Sequence, residues 1–538
     1  MKIKRVHIEN YRSIKRLSFD ASDFNVLIGE NNSGKSNILR ALTLILGESY
    51  PSERAFSEED FHNFDTSSDI IIQTYFDKAI EDQNGNIEGF ELRCKAYKRK
   101  TGDKPAGTLK VEYTCIDSHG NQLKYNQSFS PIKVTNDYRT QVPLIFVDVL
   151  RDYSAHEPRS RWSILRRLFK DVQIEFGHPK NTVEVTENNQ KSKIPRKEAF
   201  EKAIHHAFDY LRTEGFVQIE KNLTKNTLEQ MGIDGDQNNV SLHFNAYDPN
   251  DVYKNVELFV TQMGITTSAR DVGAGLQSAI VIAVFRTYQE LRKEGAVFAI
   301  EEPEVFLHPQ KARYFSSILK NLSEAGNQIF ITTHSPIFVS IDNPESVVCI
   351  RRDQGNGSTA TQTKIDCLAS NERQELRLLS EFDSQRNEMF FAKKVLFVEG
   401  NTEKVSLPLV FKSCGIDMNR LGYSVIECGG KTKIPLFAKA AKAVGIPFMI
   451  LADEDDPNDS EHKRWNTHLK QVAGTNIKFL VPDFEGVTGV SGNEQNKIDN
   501  AIKKFTGISK ESLPEAIKEA VNQFEAIQEN EGNVHDGF

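Results

Sequence analysis

Long apolar runs are missing from this 538-residue chain. No stretch approaches the ~20 consecutive apolar residues of a membrane span, so channels and carriers built on apolar helices are excluded, and no membrane partner is expected. The opening residues, MKIKRVHIENYRSIK, are charged and alternating and lack the apolar centre of a signal peptide. Paired cysteines are missing too. The six cysteines (94, 115, 349, 367, 414 and 428) are scattered, with no C-x-x-C pair. That excludes a cysteine-based zinc site and a disulfide framework, and points to a reducing cytoplasm. Nor is there an excess of positive charge: 67 Lys and Arg stand against 75 Asp and Glu, a formal net charge of -8. Such a sum does not advertise a nucleic-acid binder, although local patches hold phosphates whatever the total. Two basic clusters (Lys95, Lys98, Arg99, Lys100; Arg159, Arg161, Arg166, Arg167, Lys170) read best as solvated faces.

What is present is an α/β pattern too long for one core. Residues 1–28 alternate like strands, a glycine-rich turn follows, and a helix is expected from about Lys35 to Leu46. Short β-rich runs fill 69–150. Residues 155–235 change character: RSRWSILRRLFKDV and KEAFEKAIHHAFDYLRTEGF read as amphipathic helices separated by the polar stretch TENNQKSKIPRK. β/α alternation resumes near 241 and runs to 352. The polar stretch RDQGNGSTATQTK reads as a linker, a helical connector follows, and a last α/β segment starts near Val395.

Gly29-Glu30-Asn31-Asn32-Ser33-Gly34-Lys35-Ser36 matches G-x-x-x-x-G-K-[ST] and lies between an apolar strand and a helix. In that setting the glycines let backbone N–H groups close around phosphate oxygens, and the helix N-terminus adds a favourable dipole. Lys35 is placed to reach the β- and γ-phosphates of ATP, and Ser36 to hold Mg²⁺. Far along the chain, the buried strand Ala296–Ile300 ends in Glu301 and Glu302. The first carboxylate suits the metal; the second suits positioning the attacking water. A second apolar strand, Gln328–Thr332, leads to His334, which can reach the γ-phosphate.

A second constellation follows. Val395–Val398 ends at Glu399, with Glu403 one helical turn on; a second strand ends at Glu427-Cys428-Gly429-Gly430; a third ends at Asp453-Glu454-Asp455-Asp456. Parallel strands with helical crossovers bring their C-terminal ends together. Glu399, Glu403, Asp453 and Asp455 therefore share one rim, and hard oxygen ligands of this kind suit Mg²⁺ or Mn²⁺.

N-Y-R-S at 10–13, G-E-N-N-S-G-K-S at 29–36, A-V-F-A-I-E-E-P-E at 296–304 and T-T-H-S-P at 332–336 together resemble the ABC-type ATPases related to SMC and RecF proteins. The resemblance implies that Arg12, Asn31, Asn32, Ser33 and Asn37 join the glycines around the nucleotide. It also implies that Glu302 is the catalytic carboxylate and His334 the switch histidine. Such ATPases hold ATP between two heads and need a signature loop. The candidate is Asp271–Ser278, with Gly273, Gly275 and Gln277 meeting the nucleotide. It departs from L-S-G-G-Q, since Ala274, or Gly273 if the register shifts by one, stands where the hydroxyl residue belongs; slow turnover is implied. Gln73 is a candidate for the metal-linked glutamine, beside the plainer reading of a strand residue.

E-G-x-x-E followed by D-x-D resembles the Toprim fold. An ABC-type head followed by a Toprim domain resembles the OLD-family nucleases, which include the large subunit of the Gabija anti-phage system. The resemblance divides the chain into a first ATPase lobe (1–154), a helical insertion where the family keeps a dimerisation element (155–235), a second lobe (236–352), a linker and helical connector (353–392) and a Toprim domain (393–538). It implies an ATPase that gates metal-dependent DNA cleavage, a homodimer or higher oligomer, and room for a companion defence protein or nucleic acid. The family's later carboxylate is assigned to Glu485, and its lysine has candidates in Lys510 and Lys518. A rival from the same residues is an ATP-driven DNA clamp with a silent Toprim site. Primases and topoisomerases are disfavoured because no tyrosine-bearing gate domain or zinc ribbon is evident.

Overall fold

The computed structural model describes the chain apart from residues 48, 97–107, 127–128, 149–162, 188–189, 232–252, 292–294, 341–342, 354, 363–367, 381–384, 457 and 529–538. Trp162, Cys367 and the basic residues Lys98, Arg99, Lys100, Arg159 and Arg161 lie outside the described residues. Two compact units emerge, one from residues 1–149 and 294–538, the other from 150–293. Among the described residues no helix is long and apolar enough to cross a membrane. The five described cysteines are free thiols.

In the first unit the alternation of the N-terminal segment becomes pairing. β1 (Ile3–Tyr11) turns its Ile3, Val6 and Ile8 into the core and pairs antiparallel with β2 (Ile14–Asp20). β3 (Phe24–Ile28) runs into the helix Lys35–Leu46, which buries Ile38, Leu39, Leu42, Ile45 and Leu46. Burial of such side chains contributes about 1.5–3 kcal/mol each, so packing anchors the helix whose first turn is the phosphate loop. β4 (Ile70–Asp82), β5 (Gly85–Ala96) and β6 (Leu109–Ile116) extend the antiparallel wing beyond β1, and β7 (Leu144–Val147) lies at the far edge.

The second unit holds the helices Ile164–Gly177, Arg196–Leu211 and Glu214–Met231. The sequence pattern is corrected here, because the polar separator between the first two helices belongs to a hairpin, β8 (Thr182–Glu187) with β9 (Gln190–Pro195). Val183 sits opposite Ile194 and Val185 opposite Ser192. With one apolar residue on the return strand, alternation was too thin to read. A second hairpin, β10 (Phe259–Gln262) with β11 (Ile265–Ser268), precedes the helix Ala274–Leu291. These residues fold with the insertion rather than with the first unit, so the compact insertion is 150–293 instead of 155–235.

Back in the first unit, β12 (Val297–Glu301), β13 (Gln328–Thr332), β14 (Val347–Asp353) and β15 (Gly357–Gln362) complete a sheet ordered β6-β5-β4-β1-β2-β15-β14-β3-β13-β12-β7. β14, β3, β13, β12 and β7 are parallel. β15 corrects the linker reading of 353–362, since it pairs with β14 and touches β2. Its Ser-Thr-Ala-Thr-Gln sequence carries little apolar signal because one of its tasks is polar: Ser358 Oγ donates to Ser33 O (2.6 Å) and is hydrogen-bonded to the Ser13 hydroxyl (2.7 Å) beneath the phosphate loop. The C-terminal segment builds a four-stranded parallel sheet, β17-β16-β18-β19, from β16 (Lys394–Val398), β17 (Tyr423–Glu427), β18 (Phe448–Asp453) and β19 (Ile477–Leu480). Helices Asn401–Ser413, Glu494–Phe505 and Glu515–Ala526 contribute to its core.

Candidate active sites

The phosphate loop leaves β3 through Gly29 and enters its helix through Gly34, at φ of 150° and 106°. A Cβ on Gly29 would lie 2.1 Å from Ile350 O, and one on Gly34 2.4 Å from Ser358 Oγ, so both positions demand glycine. Lys35 is buried, and its Nζ donates to Gly29 O and Glu30 O at 2.9 Å. Asn37 Nδ2 donates to Ser13 Oγ at 2.9 Å. Arg12, in the turn between β1 and β2, is held by Asp60 (Nε to Oδ1, 2.8 Å).

Parallel pairing of β12 with β13, and of β13 with β3, brings the second half of the site alongside. Glu301 lies opposite Thr332 in that register. Its side chain is buried, takes a hydrogen bond from Ser36, and has an Oε1 with no partner. Burial, and the neighbouring Asp148, push its carboxyl above the usual range. An orphaned carboxylate oxygen beside Ser36 fits a divalent cation. Glu302 has a left-handed backbone (φ 42°), fixed by its N–H donating to Thr332 O at 2.8 Å. His334 Nε2 lies 4.0 Å from Glu302 Oε1, and Glu304 accepts from His334 N (2.7 Å) and Thr333 Oγ1 (2.8 Å). Burial and the Lys35 ammonium lower the His334 pKa, favouring a neutral imidazole. One cavity gathers Arg12, Asn31, Asn32, Gly34, Lys35, Ser36, Asn37, Glu302 and His334. Asn63, Phe64 and Arg352 also line it and carried no sequence signal. Gln73 proves the plain strand residue, its amide engaged by Glu91 and Tyr75. Gly273, Gly275 and Gln277 lie in the other unit, where Gln277 Nε2 closes its own loop onto Arg270 O (2.8 Å) and Val272 O (3.0 Å).

At the rim of the C-terminal sheet, β16 delivers Glu399 and β18 delivers Asp453. Glu399 Oε1 accepts from Asp453 N (2.8 Å), and Asp453 Oδ1 accepts from Phe484 N (2.7 Å). Glu403, in the first turn of the helix Asn401–Ser413, is buried. Asp455, in a left-handed conformation (φ 57°), pairs with Lys431 Nζ at 2.7 Å. Glu485, in the short helix Phe484–Thr488, pairs with Lys497.

Residues 1–339 match the family of AAA ATPase domains, and residues 390–455 match the TOPRIM domain of overcoming-lysogenization-defect-like proteins. The chain belongs to the family of AAA ATPase domains. It is 29% identical to an OLD nuclease of Thermus scotoductus over 97% of this chain and 98% of that protein. The Old nuclease of Escherichia phage P2 is 26% identical over 86% and 79%, and an endonuclease GajA of Bacillus cereus 22% over 97% and 85%.

The TOPRIM rim holds two lysines that sequence reading missed. Lys431 is buried and also donates to Asp453 O. Its signal was Glu-Cys-Gly-Gly-Lys at the end of β17, where Gly429 and Gly430 adopt φ of 81° and 109°. Lys497 meets Glu485 from a different helix, so no local motif marks it. Lys518, in the C-terminal helix, donates to Glu511 O and Glu515, whereas Lys431 and Lys497 pair with the carboxylates Asp455 and Glu485.

Burial, reinforced by mutual repulsion, pushes the carboxyls of Glu399, Glu403 and Asp453 up to about 7. Asp455 and Glu485 contribute to that repulsion. Among the described residues no trio of His, Cys, Asp or Glu is already gathered as a metal cage. The rim is a set of carboxylates held by amides and lysines, whose oxygens fit a hard cation that draws them together. The pH dependence follows. These groups bind protons more tightly folded than unfolded, so their contribution to cation-free stability is present at low pH and is lost as pH rises towards 7. A divalent cation held by these carboxylates would remove that penalty. Thermal melts are expected to show a larger gain from Mn²⁺ at about pH 8 than at about pH 5. An equal gain at both would contradict the buried-carboxylate description.

Proposed function

We propose that this protein is an ATP-gated, divalent-metal-dependent DNA endonuclease acting in the cytoplasm, in phage defence or DNA processing. The observation that carries the reading is the convergence of Glu399, Glu403, Asp453 and Asp455 on one TOPRIM rim, in a chain that also assembles Lys35, Ser36, Glu302 and His334 around one cavity, with Glu301 hydrogen-bonded to Ser36. In the ATPase domain, Lys35 leaves its two loop carbonyls for the β- and γ-phosphates. Ser36 and Glu301 would hold Mg²⁺, Glu302 would orient the attacking water and take its proton, and neutral His334 would meet the γ-phosphate. Arg12, Asn31, Asn32, Ser33 and Asn37 complete the cradle with Gly29 and Gly34.

At the rim, Glu399, Glu403, Asp453, Asp455 and Glu485 would hold Mg²⁺ or Mn²⁺. Such a cation supplies an activated water and stabilises the leaving 3′-oxygen. Lys431 fixes Asp455, and Lys497 fixes Glu485. Relatives named as nucleases favour this over a DNA clamp with a silent TOPRIM site. The test is nicking of supercoiled plasmid by the purified protein with Mg²⁺ or Mn²⁺. Relaxed product that vanishes with EDTA is expected; no product under any divalent metal would favour the clamp.

The second unit is proposed as the self-association element of a homodimer or higher oligomer. Its helix Arg196–Leu211 has no buried residue, and Tyr210 and Leu211 are exposed, as are Val172, Ile174, Ile219 and Leu223 on its other helices. Phe200, Ile204 and Phe208 are half-buried, as are Leu165, Leu168 and Phe169. Deleting residues 155–235 is expected to lower the mass in solution to that of a smaller assembly, read by light scattering. An unchanged oligomer would return these faces to the unit itself. The signature loop, with Gly273, Gly275 and Gln277, would then serve the nucleotide of a second copy. A companion defence protein or nucleic acid would be a further partner.

A further inference from the structure

Between the nucleotide cavity and the TOPRIM rim runs a short connector, the 3-10 turn Arg386–Phe391, which leads directly into β16. Its first two residues hold opposite partners. Asn387 is buried, and both observed bonds of its Nδ2 go to the segment that follows the switch histidine: Pro336 O at 3.2 Å and Val339 O at 2.9 Å. That segment is fastened at its other end to the ATPase acids, through His334 N and Thr333 Oγ1 on Glu304. Arg386 points the other way. Its Nη2 donates to Glu427 Oε2 (2.8 Å), its Nε to Glu427 O (3.0 Å) and its Nη1 to Leu379 O (2.6 Å). The ion pair is nearly shielded from solvent, with side chains 13% and 10% exposed. A planar guanidinium held at three points transmits position, which a flexible ammonium would not.

Glu427 ends β17, and the turn beyond it reaches the rim. Gly430 N donates to Glu399 O at 2.8 Å, and Lys431 holds Asp453 O and Asp455 Oδ2. Gly429 and Gly430 adopt left-handed φ values, so this turn can change shape without a side-chain penalty. Hydrogen bonds and covalent neighbours therefore run without a break from His334 to Asp455.

We propose that Arg386 and Asn387 are the positioning residues that couple the two sites: nucleotide at His334 shifts the 334–339 segment, Asn387 carries the shift into the connector, and Arg386 passes it through Glu427 to the Gly429–Lys431 turn. The output is the grip of Lys431 on Asp455, and with it the readiness of the rim to accept its cation. This rests on the reading that ATP gates cleavage, and it names the element through which the gate acts.

The experiment compares plasmid nicking with and without ATP in wild type, Asn387→Ala and Arg386→Lys, alongside amide exchange. Wild-type nicking should differ about fivefold or more between the two conditions, in either direction. Both variants should bring that ratio to within about twofold of unity while keeping ATP hydrolysis and ATP-free nicking. A structural staple would change yield or melting temperature and leave the ratio alone, so a variant ratio equal to wild type overturns the proposal. If Asn387→Ala does not fold, Arg386→Lys, which keeps the charge and loses the fork, decides. If wild-type nicking ignores ATP, the gating reading has failed, and exchange then decides the relay. ATP should alter exchange at residues 29–36 and 427–431 in wild type, and at 29–36 alone in Asn387→Ala. ATP-dependent exchange at 29–36 with none at 427–431 in wild type overturns it.

Discussion

Asp453→Ala is expected to abolish DNA cleavage while ATP binding and hydrolysis continue at the wild-type rate. Asp453 sits at the centre of the rim: its backbone N–H fixes Glu399, its Oδ1 is held by Phe484 N, and its carbonyl takes Lys431. Removing the carboxylate subtracts a cation ligand, so both the activated water and the charge stabilisation at the leaving oxygen go with it. A loss on the order of 10³-fold or more, about 4 kcal/mol of barrier, is expected. The backbone contacts survive the substitution, which limits damage to the fold. Glu399→Ala should behave alike. Glu454→Ala should stay close to wild type, because the described hydrogen bonds of Glu454 are backbone ones, its N–H to Leu480 O and its carbonyl to Asn466. Cleavage by Asp453→Ala would remove the rim from the mechanism.

Lys35→Ala should abolish nucleotide binding, and Glu302→Gln should bind ATP and fail to turn it over. Lys35 is buried with its ammonium on two loop carbonyls, in a loop already shaped by Gly29 and Gly34, so alanine removes the cation and leaves the cradle. Glu302 lines the cavity and has the His334 ring 4.0 Å away. Glutamine keeps its size and cannot take a proton, so hydrolysis should fall on the order of 10²–10³-fold with affinity retained. Equilibrium binding of a fluorescent ATP analogue and phosphate release read the two effects separately. Wild-type turnover by Glu302→Gln would assign the base elsewhere.

Both sites were legible because each is written in short local patterns at strand ends. The phosphate loop needs its glycines where Ile350 O and Ser358 Oγ would lie 2.1 and 2.4 Å from an added Cβ, and the rim needs carboxylates where parallel strands stop. Strand β15 was illegible for a physical reason: Ser358 spends its side chain on Ser13 and Ser33 rather than on the apolar core. Lys431 and Lys497 were missed because their partners come from other elements, 24 residues away for Asp455 and across a turn and a helix for Glu485. Asp148 beside Glu301, and Arg386 on Glu427, are likewise products of sheet order rather than of motif.

The most direct measurement of the central claim is the initial rate of plasmid nicking, with divalent metal, by wild type and Lys35→Ala, each with and without ATP. The expected result is a nucleotide-dependent rate in the wild type and a rate indifferent to ATP in Lys35→Ala, with nicking itself retained. A wild-type rate that ignores ATP would contradict gating and leave two independent enzymes in one chain.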